Sequence, residues 1–268
     1  MELVLTGLDI EEKAKIFTDT LFNSVGGKEQ FDEVSIHLDR NDKDDPNTNE
    51  EAMAALRINV KSKDKELVGR LFSAKIIELA LSNYPGFFAG GGVKSGGPVL
   101  IYWPALVDSK HINEVVHFNG KSKELKPTSQ LNFEEIYYQT EPVKIPDAPK
   151  GETSHVPLGT LFGARSGDKG GCANLGVWAK ELDAFAFLSS FLTIEKLKEL
   201  MPDLKEFKIE RFDLPNILSL NFYIHDILED GVSSNSRKDA QAKSLGEYLR
   251  AKKANIPSSL LETLNESR

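Results

Sequence analysis

Between Ala164 and Asn174 the chain reads Ala164-Arg165-Ser166-Gly167-Asp168-Lys169-Gly170-Gly171-Cys172-Ala173-Asn174. A guanidinium, a hydroxyl, a carboxylate and an ammonium fall within five residues, between two apolar runs. Gly167, Gly170 and Gly171 permit positive φ and can turn backbone N–H groups toward an anion. Arg165 can grip a carboxylate or phosphate in a bidentate fork, and Lys169 can add a point charge. Asp168 can act as a base or can orient Arg165 or Lys169, and Ser166 is the other group able to handle a proton. The chemistry expected is therefore recognition of an anion by Arg165, Lys169, Gly170, Asn174 and the later Asn221, with Ser166 and Asp168 as catalytic groups. The competing reading is a tight hairpin loop whose charges pair with one another. No G-x-x-x-x-G-K-[ST] register fits, so the segment is not a P-loop.

Other candidates are weaker. Ala89 to Pro98 holds five glycines among ten residues. It reads as a connector, because nothing in it fixes a nucleophile or a base. Asn221 sits on the polar side of an alternating run from Ile217 to Ile224, and His225 stands at its end. Arg237, Asp239 and Lys243 read as one face of a solvated last helix. Cys172 follows two glycines with no neighbouring histidine in sequence, which suggests an inert small residue. His37, His111 and His117 are too far apart to suggest a metal site, so none is expected. The run Asp39, Asp42, Asp44, Asp45 lacks the register of a calcium loop. No motif specifies a cofactor.

The elements that must position these residues follow from periodicity. Glu2–Thr6 reads as a strand. Ile10, Ala14, Phe17 and Leu21 recur at helical spacing between a capping-box start at Asp9 and Glu12 and a stop at Gly26-Gly27. Val34–Leu38 and Leu56–Val60 alternate as strands around a polar loop. A broad apolar helix is expected over 64–83, ended by Tyr84-Pro85-Gly86, and an aromatic strand over Val99–Val107. That order, β-α-β-β-α-β, is the split ferredoxin-like arrangement. One further strand over Glu114–Phe118 extends it. Residues 139–157 carry Pro142, Pro146, Pro149 and Pro157 and read as a linker. Beyond it we expect strands over Leu158–Ala164, Asn174–Ala179, Phe207–Phe212 and Ile217–Ile224. Helices are expected over 181–192, 193–201 and 237–252, with a loop over Arg165–Ala173 and a frayed tail from Ile256. The fold class is α+β: two ferredoxin-like sheet-and-helix domains, 1–140 and 158–268, joined by a Pro-rich linker over 141–157.

Composition bounds the function classes. A formal charge of −8 with a sequence pI of about 5.3 argues against nucleic-acid and anionic-membrane partners, which need a positive field. One cysteine excludes an internal disulfide framework. No apolar run approaches the roughly 20 residues that span a bilayer, and the amino terminus lacks a signal-peptide pattern. A cytoplasmic protein is the expectation.

The segment Leu161–Gly170, followed by Ala173-Asn174-Leu175-Gly176-Val177, closely resembles a signature of the acyclic terpene utilisation (AtuA-like) family. Arg211-Phe212-Asp213-Leu214-Pro215-Asn216 with Leu220-Asn221-Phe222, and Ser236–Leu245, are similar to the same family. So are Leu5–Ala14, Ala80–Phe87 and Tyr102–Val107 in the first half. The resemblance implies a C-terminal ferredoxin-like domain and a place in the bacterial breakdown of citronellol and geraniol through acyl-CoA intermediates. It implies one half or subunit of an enzyme acting on a small carboxylate or acyl-CoA of acyclic terpene or branched acyl catabolism. The alternative is a non-catalytic assembly or interaction subunit. Typical members carry a long additional N-terminal region, and this chain starts downstream of it. A second chain bearing that region, and a homo- or hetero-oligomer, are the expected partners.

Overall fold

Leu3 and Leu5 share one face of a short apolar run, and both are fully buried, because that face turns into the core with Phe17, Leu21 and Ile76. In a computed structural model, which describes residues 1–82, 87–89, 96–125 and 143–266, β1 (Glu2–Thr6) pairs antiparallel with β3 (Met53–Lys61), Leu3 opposite Leu56 and Leu5 opposite Ala54. β2 (Glu33–Asp39) pairs with the far side of β3. Helix α1 (Ile10–Ser24) turns Ile10, Ala14, Phe17 and Leu21 inward as its periodicity requires. It closes where Gly26 N–H and Gly27 N–H reach back to Asn23 O and Phe22 O, the paired bonds of a Schellman motif. The capping box does not form. Asp9 is left-handed, at φ 58, and its carboxylate makes no cap hydrogen bond, whereas a side-chain cap needs extended backbone there.

The helix expected over 64–83 is interrupted. Leu67–Leu71 winds more widely, Gly69 leaves helical geometry, and α2 proper runs Phe72–Ser82. The Tyr84-Pro85-Gly86 stop lies outside the described residues, as does most of the glycine-rich segment. The fourth strand, β4, is Phe87–Ala89, paired with β1, and not Val99–Val107. Phe87 and Phe88 come first along the chain and occupy the slot beside β1. The later run, interrupted by Pro104, is exposed and joins no sheet. The sheet order β2-β3-β1-β4 is the ferredoxin-like one reached from β-α-β-β-α-β.

The chain divides into two compact units, Met1–Val99 and Leu100–Arg268. The second begins with this exposed stretch and an antiparallel hairpin of β5 (Glu114–Phe118) and β6 (Lys121–Leu125). Part of the expected linker is a strand. β7 (Thr153–Pro157) pairs with β12 (Lys253–Pro257), and α6 (Ser258–Glu266) follows, so the tail from Ile256 is ordered structure. Pro157 and Pro257 sit at opposite ends of this ladder, where a missing donor is tolerated.

The main sheet of this unit runs β10-β11-β9-β8. Its strands are β8 (Gly163–Lys169), β9 (Cys172–Trp178), β10 (Ile209–Leu214) and β11 (Ser219–Ile224). Helices α3 (Leu182–Phe191) and α4 (Ile194–Leu200) join β9 to β10. Ala173, Leu175 and Val177 of β9 and Leu220, Phe222 and Ile224 of β11 form the core floor beneath Phe185, Leu188 and Leu197. The last long helix begins late, as α5 (Leu245–Ala251). Ala242 is buried at φ 52, which no helix accommodates. Among the described residues no helix is long and apolar enough to cross a membrane.

Phe222 is fully buried at the centre of this floor. Replacing it with alanine should lower the unfolding free energy of the second unit by about 3–5 kcal/mol, measured by urea denaturation.

Candidate functional site

The segment expected as a loop is a hairpin. Arg165–Lys169 lie in β8, Cys172–Asn174 lie in β9, and only Gly170-Gly171 turn. Gly170 has φ 66, and a glycine at the first position is what a two-residue type II′ turn requires. The register then sorts the side chains. Ser166 is opposite Leu175 and faces the core, while Asp168 is opposite Ala173, on the same side but partly exposed at the end of the hairpin. Arg165, Gly167 and Lys169 are opposite Gly176, Asn174 and Cys172 and face away from the core. The expected site is therefore split between the two faces of one sheet.

On the core side, Ser166 is buried and its Oγ accepts the Gly246 N–H at 3.0 Å. Gly246 lies in the first turn of α5, whose N–H groups have no partner within the helix. The hydroxyl thus seats α5 against β8. Asp168 does not pair with Arg165. Its carboxylate meets Lys243 Nζ at 3.3 Å. Its own backbone N–H, then Lys243, hold the carboxyl below its usual range. Lys169 Nζ folds back onto the Asp168 carbonyl at 2.9 Å.

On the open side the ladders align three rows across β8, β9, β11 and β10. They are Gly163–Trp178–Ser219–Leu214, Arg165–Gly176–Asn221–Phe212 and Gly167–Asn174–Tyr223–Glu210. Arg165 is exposed and makes no ion pair or hydrogen bond among the described residues. Lys243 Nζ stands 3.1 Å from where a Gly167 Cβ would be, so its ammonium reaches the same margin. Asn174 Nδ2 donates to Asn221 Oδ1 at 3.3 Å in the middle of the face. The Trp178 ring covers Gly163, where a Cβ would come within 2.2 Å of it. Trp178, Phe212 and Leu214 are 39%, 47% and 42% exposed. The face thus carries cations at one margin, amides at its centre and an apolar patch elsewhere. Of the residues the sequence singles out, Arg165, Asn174 and Asn221 share this face, while Ser166 and Asp168 lie on the other.

At the far end of the hairpin, Gly170 packs against the Tyr102 ring and Leu228 N–H donates to Gly171 O at 2.8 Å. The loop over 225–244 closes here around a cleft of about 340 Å³ between Ile101, Tyr102, Asp168, Gly170 and Val232. Asp226, Glu229 and Ala242 are left-handed in this loop. Two side chains hold it. Asn235 Nδ2 donates to Gly231 O and Ala240 O. Asp239 accepts from Lys243 N, Ser244 N and Ser244 Oγ. Burial pushes the Asp239 carboxyl up, but those bonds together outweigh it and keep the group below its ordinary range. Arg237, Asp239 and Lys243 thus lie on a structured turn rather than a helix face. Arg237 meets Asp203 at 3.6 Å, Asp239 caps the approach to α5, and Lys243 serves β8.

Sequence reasoning named Asn221 on a neighbouring strand but not Lys243 or Phe212 as partners on this face. Lys243 is 75 residues from Asp168. Phe212 falls in a motif quoted for the family, whose Arg211 is structural: its guanidinium donates to Ser189 O and Leu192 O at the end of α3. The odd positions of the alternating run Ser219–Ile224 were the available signal for a polar face. Among the described residues no cluster of His, Cys, Asp and Glu is placed to hold a metal.

Ser166→Ala removes the acceptor for a buried N–H. It should lower stability by about 1–3 kcal/mol in thermal denaturation and leave ligand affinity of the folded protein unchanged, since the hydroxyl faces the core.

Two family models match the chain. One, described as acyclic terpene utilisation family protein AtuA, covers residues 1–118. The other, described as the AtuA ferredoxin-like domain, covers residues 156–255 and so contains the hairpin and all three rows of the open face. No curated protein and no solved structure matches the chain. With both models matched in order, the first over the β1–β4 sheet and the second over the sheet that carries the candidate site, the chain belongs to the acyclic terpene utilisation family.

Proposed function

We propose that the ferredoxin-like domain binds an acyclic terpenoid acid, or its acyl thioester, on the open face of β8, β9, β11 and β10. The anionic head lies at Arg165, with Lys243 and the Asn174 amide beside it. The branched chain crosses Gly176 toward Phe212, Leu214 and Trp178. One observation carries this reading: Arg165 is an exposed guanidinium without a partner among the described residues, in the same row as Gly176, Asn221 and the exposed Phe212 ring. An unpaired fork suits a carboxylate or phosphate, and apolar surface next to it suits an aliphatic chain. Family membership supports the terpenoid class. In this reading Ser166 and Asp168 maintain the framework rather than react.

Calorimetry with geranic acid and geranoyl-CoA tests it. Arg165→Ala should weaken binding by about tenfold to over a hundredfold, the equivalent of one charge-assisted hydrogen bond of about 1.5–3 kcal/mol. Phe212→Ala should weaken geranic acid more than a short acid such as acetate. Equal affinities in wild type and Arg165→Ala would overturn the assignment.

A second reading, that the chain also associates with itself, is favoured by the stretch from Leu100 to Leu125. It is exposed throughout, including Trp103, Leu106, Val107 and Phe118, and a lone two-stranded hairpin is marginal in water. Sedimentation should give an oligomer that Trp103→Ser with Leu106→Ser dissociates. A wild-type monomer at every concentration would remove this reading.

A further inference from the structure

β9 lies between β8 and β11, and Gly176 stands inside it. Glycine weakens a strand interior, because it loses more backbone freedom on folding than any other residue and has no side chain to pack. Every other glycine of the second unit has a reason within the fold. Each either holds positive φ or would bring a Cβ within 3.2 Å of another atom. Gly176 does neither. Its φ is not positive, and among the described residues a Cβ there would meet only Arg165 O, at 3.6 Å. That is an ordinary van der Waals contact. Alanine would fit the site, and where alanine fits it stabilises by restricting the unfolded chain.

The missing side chain leaves a notch in the open face. Arg165 and Asn221 flank Gly176 on the neighbouring strands, so two strand spacings, about 10 Å, separate their backbones. Asn174 and Trp178 flank it along β9, each about 6.7 Å away. A guanidinium, two amides and an indole thus surround one stretch of bare peptide. Two of the walls are set by other contacts. Asn174 Nδ2 donates to Asn221 Oδ1, and the Trp178 ring covers Gly163. Arg165 alone is left without a partner among the described residues. A strand glycine that packing does not require marks a place where a ligand comes close to the backbone.

We propose, on the binding reading given above, that Gly176 sets the specificity of this face for α,β-unsaturated acyl groups. With the carboxyl held at Arg165, the first carbons of the chain cross Gly176. In a 2-enoyl chain conjugation keeps C1, C2, C3 and a methyl on C3 in one plane. Such a group lies with its flat side on the peptide floor of the notch. In the saturated chain C3 is tetrahedral, and its methyl group or hydrogen projects out of the chain plane and lifts it from the floor. A Cβ at position 176 would do the same to either chain from below.

The experiment is calorimetry with geranic acid and with its 2,3-dihydro counterpart, citronellic acid. Wild type, Gly176→Ala and Arg165→Ala are compared, each with a urea unfolding curve. Wild type should prefer geranic acid by about tenfold, the low end of what one small apolar misfit costs in a binding site. Gly176→Ala should weaken geranic acid by about tenfold and citronellic acid less, so that the preference narrows, while its unfolding midpoint equals or exceeds that of wild type. Arg165→Ala should weaken both acids alike. A Gly176→Ala midpoint below that of wild type would show that the fold needs the glycine and would overturn the proposal. So would Arg165-dependent binding with no preference between the acids, or with unchanged affinity in Gly176→Ala, and in either case the binding reading would stand. Wild type binding neither acid, or Arg165→Ala binding as wild type does, would overturn the binding reading and the proposal with it.

Discussion

A strand offers every second side chain to the same face, and β8 carries a guanidinium, a hydroxyl, a carboxylate and an ammonium within five residues. That geometric constraint decides which of them can meet a ligand. Ser166 and Asp168 fall on the side of Leu175 and Ala173, where the buried Ser166 hydroxyl must find a partner or destabilise the fold. They find Gly246 N–H and Lys243. Arg165 falls on the other side, and no partner has been built for it among the described residues. A one-residue slip of β8 against β9 would exchange the two sets and place a guanidinium among fully buried leucines. The register is thus held by the core on one side as much as by hydrogen bonds along the ladder.

Much of the fold is legible in local pattern. Helix α1, strands β2 and β3, helices α3 and α4 and strand β11 follow from periodicity, because each buries one face of a regular element against the unit's own core. The errors share another cause. Phe87–Ala89 is only three residues long and adjoins a glycine-rich run, whereas Val99–Val107 has every strand propensity and no partner strand. β7 looks like a linker because of its prolines, and only its pairing with a strand a hundred residues away shows that those prolines sit at ladder ends. α5 looks too long because Asp239 does act as a capping residue, but for N–H groups beyond the left-handed Ala242.

The candidate site divides in the same way. Residue types and their order were visible, including the two asparagines on neighbouring strands. The assignment to faces was not, since it depends on a two-residue turn that composition alone cannot separate from a longer loop. Lys243 and Phe212 join the hairpin's residues only through contacts distant in sequence. The loop over 225–244 that delivers Lys243 holds three non-glycine residues in left-handed backbone, each costing of order 1–3 kcal/mol. Asn235 and Asp239 offset that cost with hydrogen bonds to the loop's own backbone.

The β7–β12 ladder also sets an order of events during synthesis. The β8–β9 hairpin closes across two residues and can form within microseconds of emerging from the ribosome. β7 emerges before that hairpin, yet its partner lies about a hundred residues later, His155 facing Asn255. Until β12 has been translated, β7 trails as an unpaired strand and α5 has nothing to follow it into the sheet. At roughly 5–20 residues per second that interval lasts about five to twenty seconds. Within it the four-stranded sheet can close only after β10 and β11 have followed, and even then β7 still waits for its partner.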